Sequence, residues 1–322
     1  MVPLENVICI VGPTSSGKTG LSLDLAEAFH GEVVSGDARQ VYRGLDLGTG
    51  KIKPNETRGI PHHLTDVADP KVVYTASDFI EDGGRALRDI RERSHIPFVV
   101  GGSGFYIDAL LGRLLLASVV PNQELRAELE QQPLEVLQKM LRKMNPARFE
   151  TVDQKNPRRL VRALEIAHAS PTHRKLSPKA STLQPTTYNL LWIGLTLPRE
   201  ELKKNIAERL RERMNDGMVK EAHTLHQGGL SYERMETLGL EYRALAKLLK
   251  GEITEKEMEE NLRRDIYRYA KRQMTWFKKN KDIQWFHPKE DYSRIYKECE
   301  TFLKKSEEES GLQKSQPTEA KK

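Results

Sequence analysis

Near the amino end, Gly12-Pro13-Thr14-Ser15-Ser16-Gly17-Lys18-Thr19 carries its glycines, lysine and threonine at the spacing of a phosphate-binding loop. In such a loop, successive backbone N–H groups at a helix N-terminus surround phosphate oxygens. Lys18 adds a point charge and Thr19 a hydroxyl for Mg²⁺. Further on, "SGDARQVYRG" holds an acid, Asp37, which either caps the next element or takes up a proton. A third group, Gly101-Gly102-Ser103-Gly104, sets a hydroxyl in a glycine-rich turn.

These residues need elements to hold them. "NVICIVG" is an apolar, β-branched run that leads into the loop, and Leu21, Leu25, Ala28 and Phe29 recur behind it at helical spacing. "GEVVSGD" and "PFVVGG" read as further strands, with a helical stretch before the second. Alternating strands and helices predict a parallel sheet covered on both faces. Ligands of such sheets sit at the carboxyl ends of the strands. The Gly12 loop, Asp37 and the Gly101–Gly104 turn all fall there.

The expected fold class is α/β, a P-loop NTPase-like parallel-sheet core with a helical insertion and a helical carboxy-terminal region. Residues 1–112 and 188–305 form the core, and the charged, strand-free stretch 113–187 forms the insertion, ending in the connector "SPKASTLQPTT". The polar end, 306–322, is expected to be a disordered tail.

A P-loop NTPase holds its Mg²⁺ with a carboxylate at the end of a second apolar strand. The best candidate strand here runs into the glycines of "PFVVGGSGFY" instead. Taken alone, the loop leaves open a nucleotide kinase or ATPase, or an RNA-binding module with a degenerate loop.

Seven segments follow one another in a recognisable order: "GPTSSGKT", "DARQVYRGLDLGTGK", "PHHL", "GGSGFY", "RRLVRALE", "GLEYR" and "AKRQMTWF". Together they resemble the tRNA dimethylallyltransferase (tRNA isopentenyltransferase) family over most of the chain. The resemblance implies that Gly12 to Thr19, that is Gly12, Pro13, Thr14, Ser15, Ser16, Gly17, Lys18 and Thr19, cradle the diphosphate of dimethylallyl diphosphate as a leaving group. Mg²⁺ would be held through Thr19. Asp37 matches the family's general base, Ser103 stands where the family has threonine, and Arg209 matches a diphosphate-contacting arginine. The acceptor implied is N6 of an adenosine beside the anticodon, in tRNAs that read codons beginning with U. That base must leave its stack to be reached. Asp37, Ala38, Arg39, Gln40 and Ser103 would lie near it, and Arg126, Arg158, Arg159, Leu160, Val161 and Arg162 of the insertion would contact the tRNA. The related adenylate isopentenyltransferases use a free nucleotide, which needs neither the insertion nor a basic carboxy-terminal third.

The formal charge is +6 over 322 residues, and the excess is concentrated. "NLRRDIYRYAKRQMTWFKKNK" contains eight basic residues and one acid. On a helix, Leu262, Ile266, Ala270, Met274 and Phe277 form an apolar stripe. Arg264, Arg268, Lys271, Thr275 and Lys278 form a separate basic row, which with Arg272 is either a solvated face or a surface for RNA phosphates. His62-His63 lack a further ligand at metal spacing and read as structural or substrate-lining, and His223 with His226, one turn apart and without a third ligand, read as surface residues. Two cysteines, Cys9 and Cys299, cannot build a disulfide framework or a zinc cluster. With no membrane-length apolar run and no visible leader, a monomer in a reducing cytoplasm is expected.

Overall fold

A computed structural model describes residues 5–114, 116, 117, 119, 122–169 and 188–314. The chain divides into two compact units, Met1–Leu114 with Thr186–Lys322, and Leu115–Pro185.

The larger unit is built on β1 (Glu5–Val11), followed by α1 (Lys18–Ala28), β2 (Gly31–Ser35), β3 (His62–His63), α2 (Ala76–Glu92), β4 (Ile96–Gly101) and α3 (Gly104–Leu110). In the smaller unit, α4 (Gln123–Glu130), α5 (Leu134–Met144), α6 (Pro146–Thr151) and α7 (Pro157–His168) close on their own core, which includes Leu137, Leu141, Phe149 and Leu164. The larger unit resumes with β5 (Tyr188–Leu195), α8 (Arg199–Asn215), α9 (Met218–Gln227), α10 (Tyr232–Thr237), α11 (Leu240–Leu249), α12 (Glu255–Phe277), β6 (Gln284–Phe286) and α13 (Tyr292–Lys314).

The six strands form one sheet in the order β3-β2-β4-β1-β5-β6, parallel throughout. β1 shows why both faces must be covered. Val7, Cys9 and Val11 point into one core, shared with α2, α3 and α8–α12, while Ile8 and Ile10 point into the other, shared with α1 and α13. A strand with period-two packing on both sides reads in sequence as a continuous apolar run. The strands expected from "NVICIVG", "GEVVSGD" and "PFVVGG" are all present. The two edge strands, of two and three residues, were too short to signal themselves.

Three local expectations change. Ala28 is exposed, and the buried face of α1 is Leu21, Ser22, Leu23, Leu25 and Ala26. The tail expected from residue 306 is helical as far as Lys314; residues 315–322 and the connector 177–187 lie outside the described residues. On α12 the buried stripe is Met258, Leu262, Ile266, Ala270, Gln273 and Phe277, with Met274 only half-buried. A glutamine therefore occupies a place expected to be apolar. The basic row Arg264, Arg268, Lys271, Thr275 and Lys278 is exposed along its whole length.

Candidate active site

The sheet order decides which loops meet. Although β2 follows β1 in the chain, β4 lies between them in the sheet. The Gly101–Gly104 turn at the end of β4 therefore separates the phosphate loop after β1 from the Asp37 segment after β2. Backbone bonds join the turn to the Asp37 side: Gly36 N–H donates to Val100 O at 2.7 Å and Ser103 N–H to Gly36 O at 3.1 Å.

The phosphate loop begins where the chain passes β5. Gly12 has φ 147°, and a Cβ there would lie 2.7 Å from Leu195 O, so the tight exit from β1 requires glycine. Lys18 Nζ donates to Pro13 O at 2.5 Å, folding the lysine back over its own loop. Burial, reinforced by the nearby Arg209 cation, pulls the Lys18 ammonium down to about 7, against the opposing pull of Asp37. Asn205 Nδ2, on α8, donates to Ser15 O at 3.4 Å.

Asp37 is half-buried, and its Oδ1 accepts from Arg39 N–H at 2.8 Å. The cap reading open in the sequence is thus partly realised, with Oδ2 left out of that bond. Ser103 precedes α3 at the N-cap position but does not cap it. Its Oγ instead accepts from Ala38 N–H at 3.1 Å, and beside it in the cleft lies Tyr269, a phenol that burial pushes up to about 12.

Arg209 Nη2 donates to Gly50 O at 2.7 Å, and burial lowers its guanidinium from the usual range. Gln40 accepts from Ser35 Oγ at 3.1 Å and donates to Gly50 O at 3.4 Å. The segment 45–51 that receives these bonds is itself clamped. Glu221 accepts from the N–H groups of Asp46, Leu47 and Gly48 at 2.7–3.1 Å, and Lys51, 5% exposed, pairs with Asp46 and Asp66 at 2.6 Å. These groups line one cleft of about 890 Å³ that contains the phosphate loop, Asp37 to Gln40, Ser103, Arg209, Tyr269 and Arg272.

The insertion residues behave differently from one another. Leu160 and Val161, expected to contact tRNA, are buried in the small unit's core at 0% and 2% exposure, where their side chains hold that unit together. Arg126 and Arg162 both pair with the buried Glu165, at 2.6 and 3.2 Å, and Arg162 also donates to Val119 O. Burial works against the Glu165 carboxylate, but the two guanidinium groups and Asn122 N–H hold it below the usual range. Arg158 and Arg159 are exposed.

His63 pairs with Glu32, which is 1% exposed and also bound by Arg93 and His95; His62 bonds to Ile60 O. His223 is exposed and His226 stacks on Tyr232. Among the described residues no group of three or more His, Cys, Asp or Glu could hold a metal ion, and no helix is long and apolar enough to cross a membrane. Thr19 offers its hydroxyl, and Ser16 Oγ is buried without a hydrogen bond. Few protein oxygens, with phosphate and water supplying the rest, suit Mg²⁺.

Sequence reasoning missed Tyr269 and Gln273 as site residues. Gln273 Oε1 accepts from Thr14 N–H at 2.9 Å and its Nε2 donates to Gly102 O at 3.0 Å. Its signal was a lone amide on the apolar face of a helix.

Fold and loop define a P-loop α/β protein with a helical insertion. The profile of the IPP transferase family matches residues 40–280, and that of the isopentenyl transferase family matches residues 5–67. The tRNA dimethylallyltransferase 2 of Treponema denticola is 42% identical over 276 residues, 85% of this chain and 92% of that protein. The tRNA dimethylallyltransferase of Halalkalibacterium halodurans is 36% identical over 93% of this chain and 96% of its own length. Among solved structures, the full-length tRNA isopentenylpyrophosphate transferase from Bacillus halodurans superimposes with a TM-score of 0.71 at 33% identity, covering 95% of this chain and 99% of that one. A eukaryotic dimethylallyltransferase captured acting on tRNA gives 0.74 at 26% identity, covering 89% and 74%. The chain belongs to the IPP transferase family.

Proposed function

We propose that the protein transfers a dimethylallyl group from dimethylallyl diphosphate to N6 of an adenosine beside the anticodon of tRNA, releasing diphosphate. One observation carries the reading. Lys18 of the phosphate loop, Arg209 and the Asp37 carboxylate line one cleft. A cleft with cations at one side and a carboxylate at the other suits a reaction that expels an anion and removes a proton.

Adenine N6 is a weak nucleophile because its lone pair is delocalised into the ring. As the N6–C bond forms, the allylic C–O bond to diphosphate breaks, and the N6 proton passes to the Asp37 carboxylate. The Arg39 N–H bond holds that carboxylate in place, and Ser103 fixes the backbone beside it through Ala38. Charge gathering on the leaving oxygen is met by the loop N–H groups, Lys18 and Arg209, donors already in position before reaction. Arg209 exchanges its Gly50 carbonyl for a diphosphate oxygen. Thr19 and Ser16 would hold Mg²⁺, which would supply further neutralisation of the diphosphate.

The exposed basic row on α12 and exposed Arg158 and Arg159 are the surfaces proposed to meet RNA phosphates, with Arg126 and Arg162 reaching RNA only from their places beside Glu165. Incubation with dimethylallyl diphosphate, Mg²⁺ and unmodified tRNA, followed by nucleoside mass analysis, tests the reading. A dimethylallyl adduct on adenosine, absent with ATP in place of the prenyl donor and absent for Asp37→Ala, is expected. Steady ATP turnover without an adduct would favour a nucleotide kinase or ATPase instead.

A further inference from the structure

Of the six side chains that α12 buries, only Gln273 is polar. It is 5% exposed, and both ends of its amide are engaged: Oε1 by Thr14 N–H and Nε2 by Gly102 O. Burying an amide is unfavourable unless its donor and acceptor are both paired, and this one meets that condition by reaching two different loops. Thr14 belongs to the phosphate loop after β1, and Gly102 to the turn after β4 that carries Ser103. β1 and β4 are neighbours in the sheet, so one side chain bridges their carboxyl ends. Gly102 is matched to this arrangement, because a Cβ there would collide with Gln273 Nε2.

The bridge has a consequence for the loop. Thr14 N–H is taken by Gln273 and is not available to a phosphate oxygen, while the loop carrying the other N–H groups is pinned at a fixed distance from Ser103. With the loop untied, its N–H groups would have to be ordered at the expense of diphosphate binding. Resting on the reading that this loop holds a diphosphate, we propose that Gln273 is a positioning residue that holds the phosphate loop against the Gly102–Ser103 turn and so sets affinity for the diphosphate, not for RNA.

Calorimetric titration of the full-length protein with inorganic pyrophosphate and Mg²⁺ tests this without any transfer reaction. Gln273→Leu removes both bonds, and Gly102→Ala displaces the amide while leaving residue 273 unchanged. Both are expected to weaken pyrophosphate binding about tenfold. In the complete reaction they should raise KM for dimethylallyl diphosphate by a similar factor, with RNA affinity held within about twofold. Gln273→Glu, which keeps the acceptor for Thr14 N–H but loses the donor and adds negative charge, should be at least as weak. If Gln273→Leu does not fold, the other two variants decide. Pyrophosphate affinity within about twofold of the unsubstituted protein, or equal losses for pyrophosphate and RNA, would overturn the proposal. An unsubstituted protein that binds pyrophosphate yet prenylates no RNA would refute the proposed function and leave the comparison of variants decisive.

Discussion

Ser103 Oγ accepts the Ala38 N–H at 3.1 Å, tying the end of β4 to the residue that follows Asp37. A serine at the N-cap of α3 would ordinarily bond back into its own helix. Here it gives up that role to fix the backbone beside a carboxylate, which makes the hydroxyl, and not the rest of the side chain, the part that matters.

Ser103→Ala is therefore expected to lower kcat about tenfold, the scale of one lost hydrogen bond at a reacting centre. KM for the prenyl donor should change little. Ser103→Thr, which restores the hydroxyl, should recover most of the rate. Steady-state kinetics on the three proteins checks this, and an alanine variant with unchanged kcat would remove Ser103 from the mechanism.

Lys18 gives the reaction a pH limb with a definite sign. Its ammonium titrates near 7 in the free protein, below the ordinary lysine value of 10.5. On the proposed function diphosphate would bind the protonated form, so above about pH 7 binding would take up a proton. The value of kcat/KM for dimethylallyl diphosphate should then fall as pH rises, by up to about tenfold per unit. Lys18→Met should be weak throughout and lack this limb.

On α12 the exposed row, if it meets RNA phosphates as proposed, would make RNA binding sensitive to salt. Changing Arg268 and Arg272 together to alanine should weaken tRNA binding and reduce the slope of log affinity against log salt by about 1 to 2. Filter binding across a range of salt concentrations measures it. An unchanged slope would mean that this face is only solvated.

In the insertion, the Glu165 carboxylate is 1% exposed between Arg126 and Arg162. Glu165→Ala should destabilise that unit by about 2 kcal/mol, since it removes the shared partner of two half-exposed guanidinium groups. The carboxylate lies below its ordinary range when folded, so the stability it adds is present above about pH 4.5 and lost as pH falls below it. Denaturant melts at neutral and acid pH should therefore converge for the two proteins at low pH.

Much of this was legible in the chain because the signals were local. The phosphate loop lies within eight consecutive residues, and the central strands are continuous apolar runs because both of their faces are covered. The edge strands were not legible, since two or three residues carry no period. Leu160 and Val161 sit among arginines in "RRLVR" yet are buried, because they share the face of α7 that Leu164 and Glu165, four positions on, also turn toward the core. Gln273 escaped for a different reason: its partner Thr14 is 259 positions away, and only the sheet order brings the two together.

The account stands most directly on where a prenyl diphosphate binds. A crystal structure with a non-reactive dimethylallyl thiodiphosphate should place the diphosphate on the N–H groups of residues 15–19, within reach of Lys18 and Arg209, with its allylic carbon directed toward Asp37. A diphosphate bound elsewhere, or an allylic carbon turned away from that carboxylate, would contradict it.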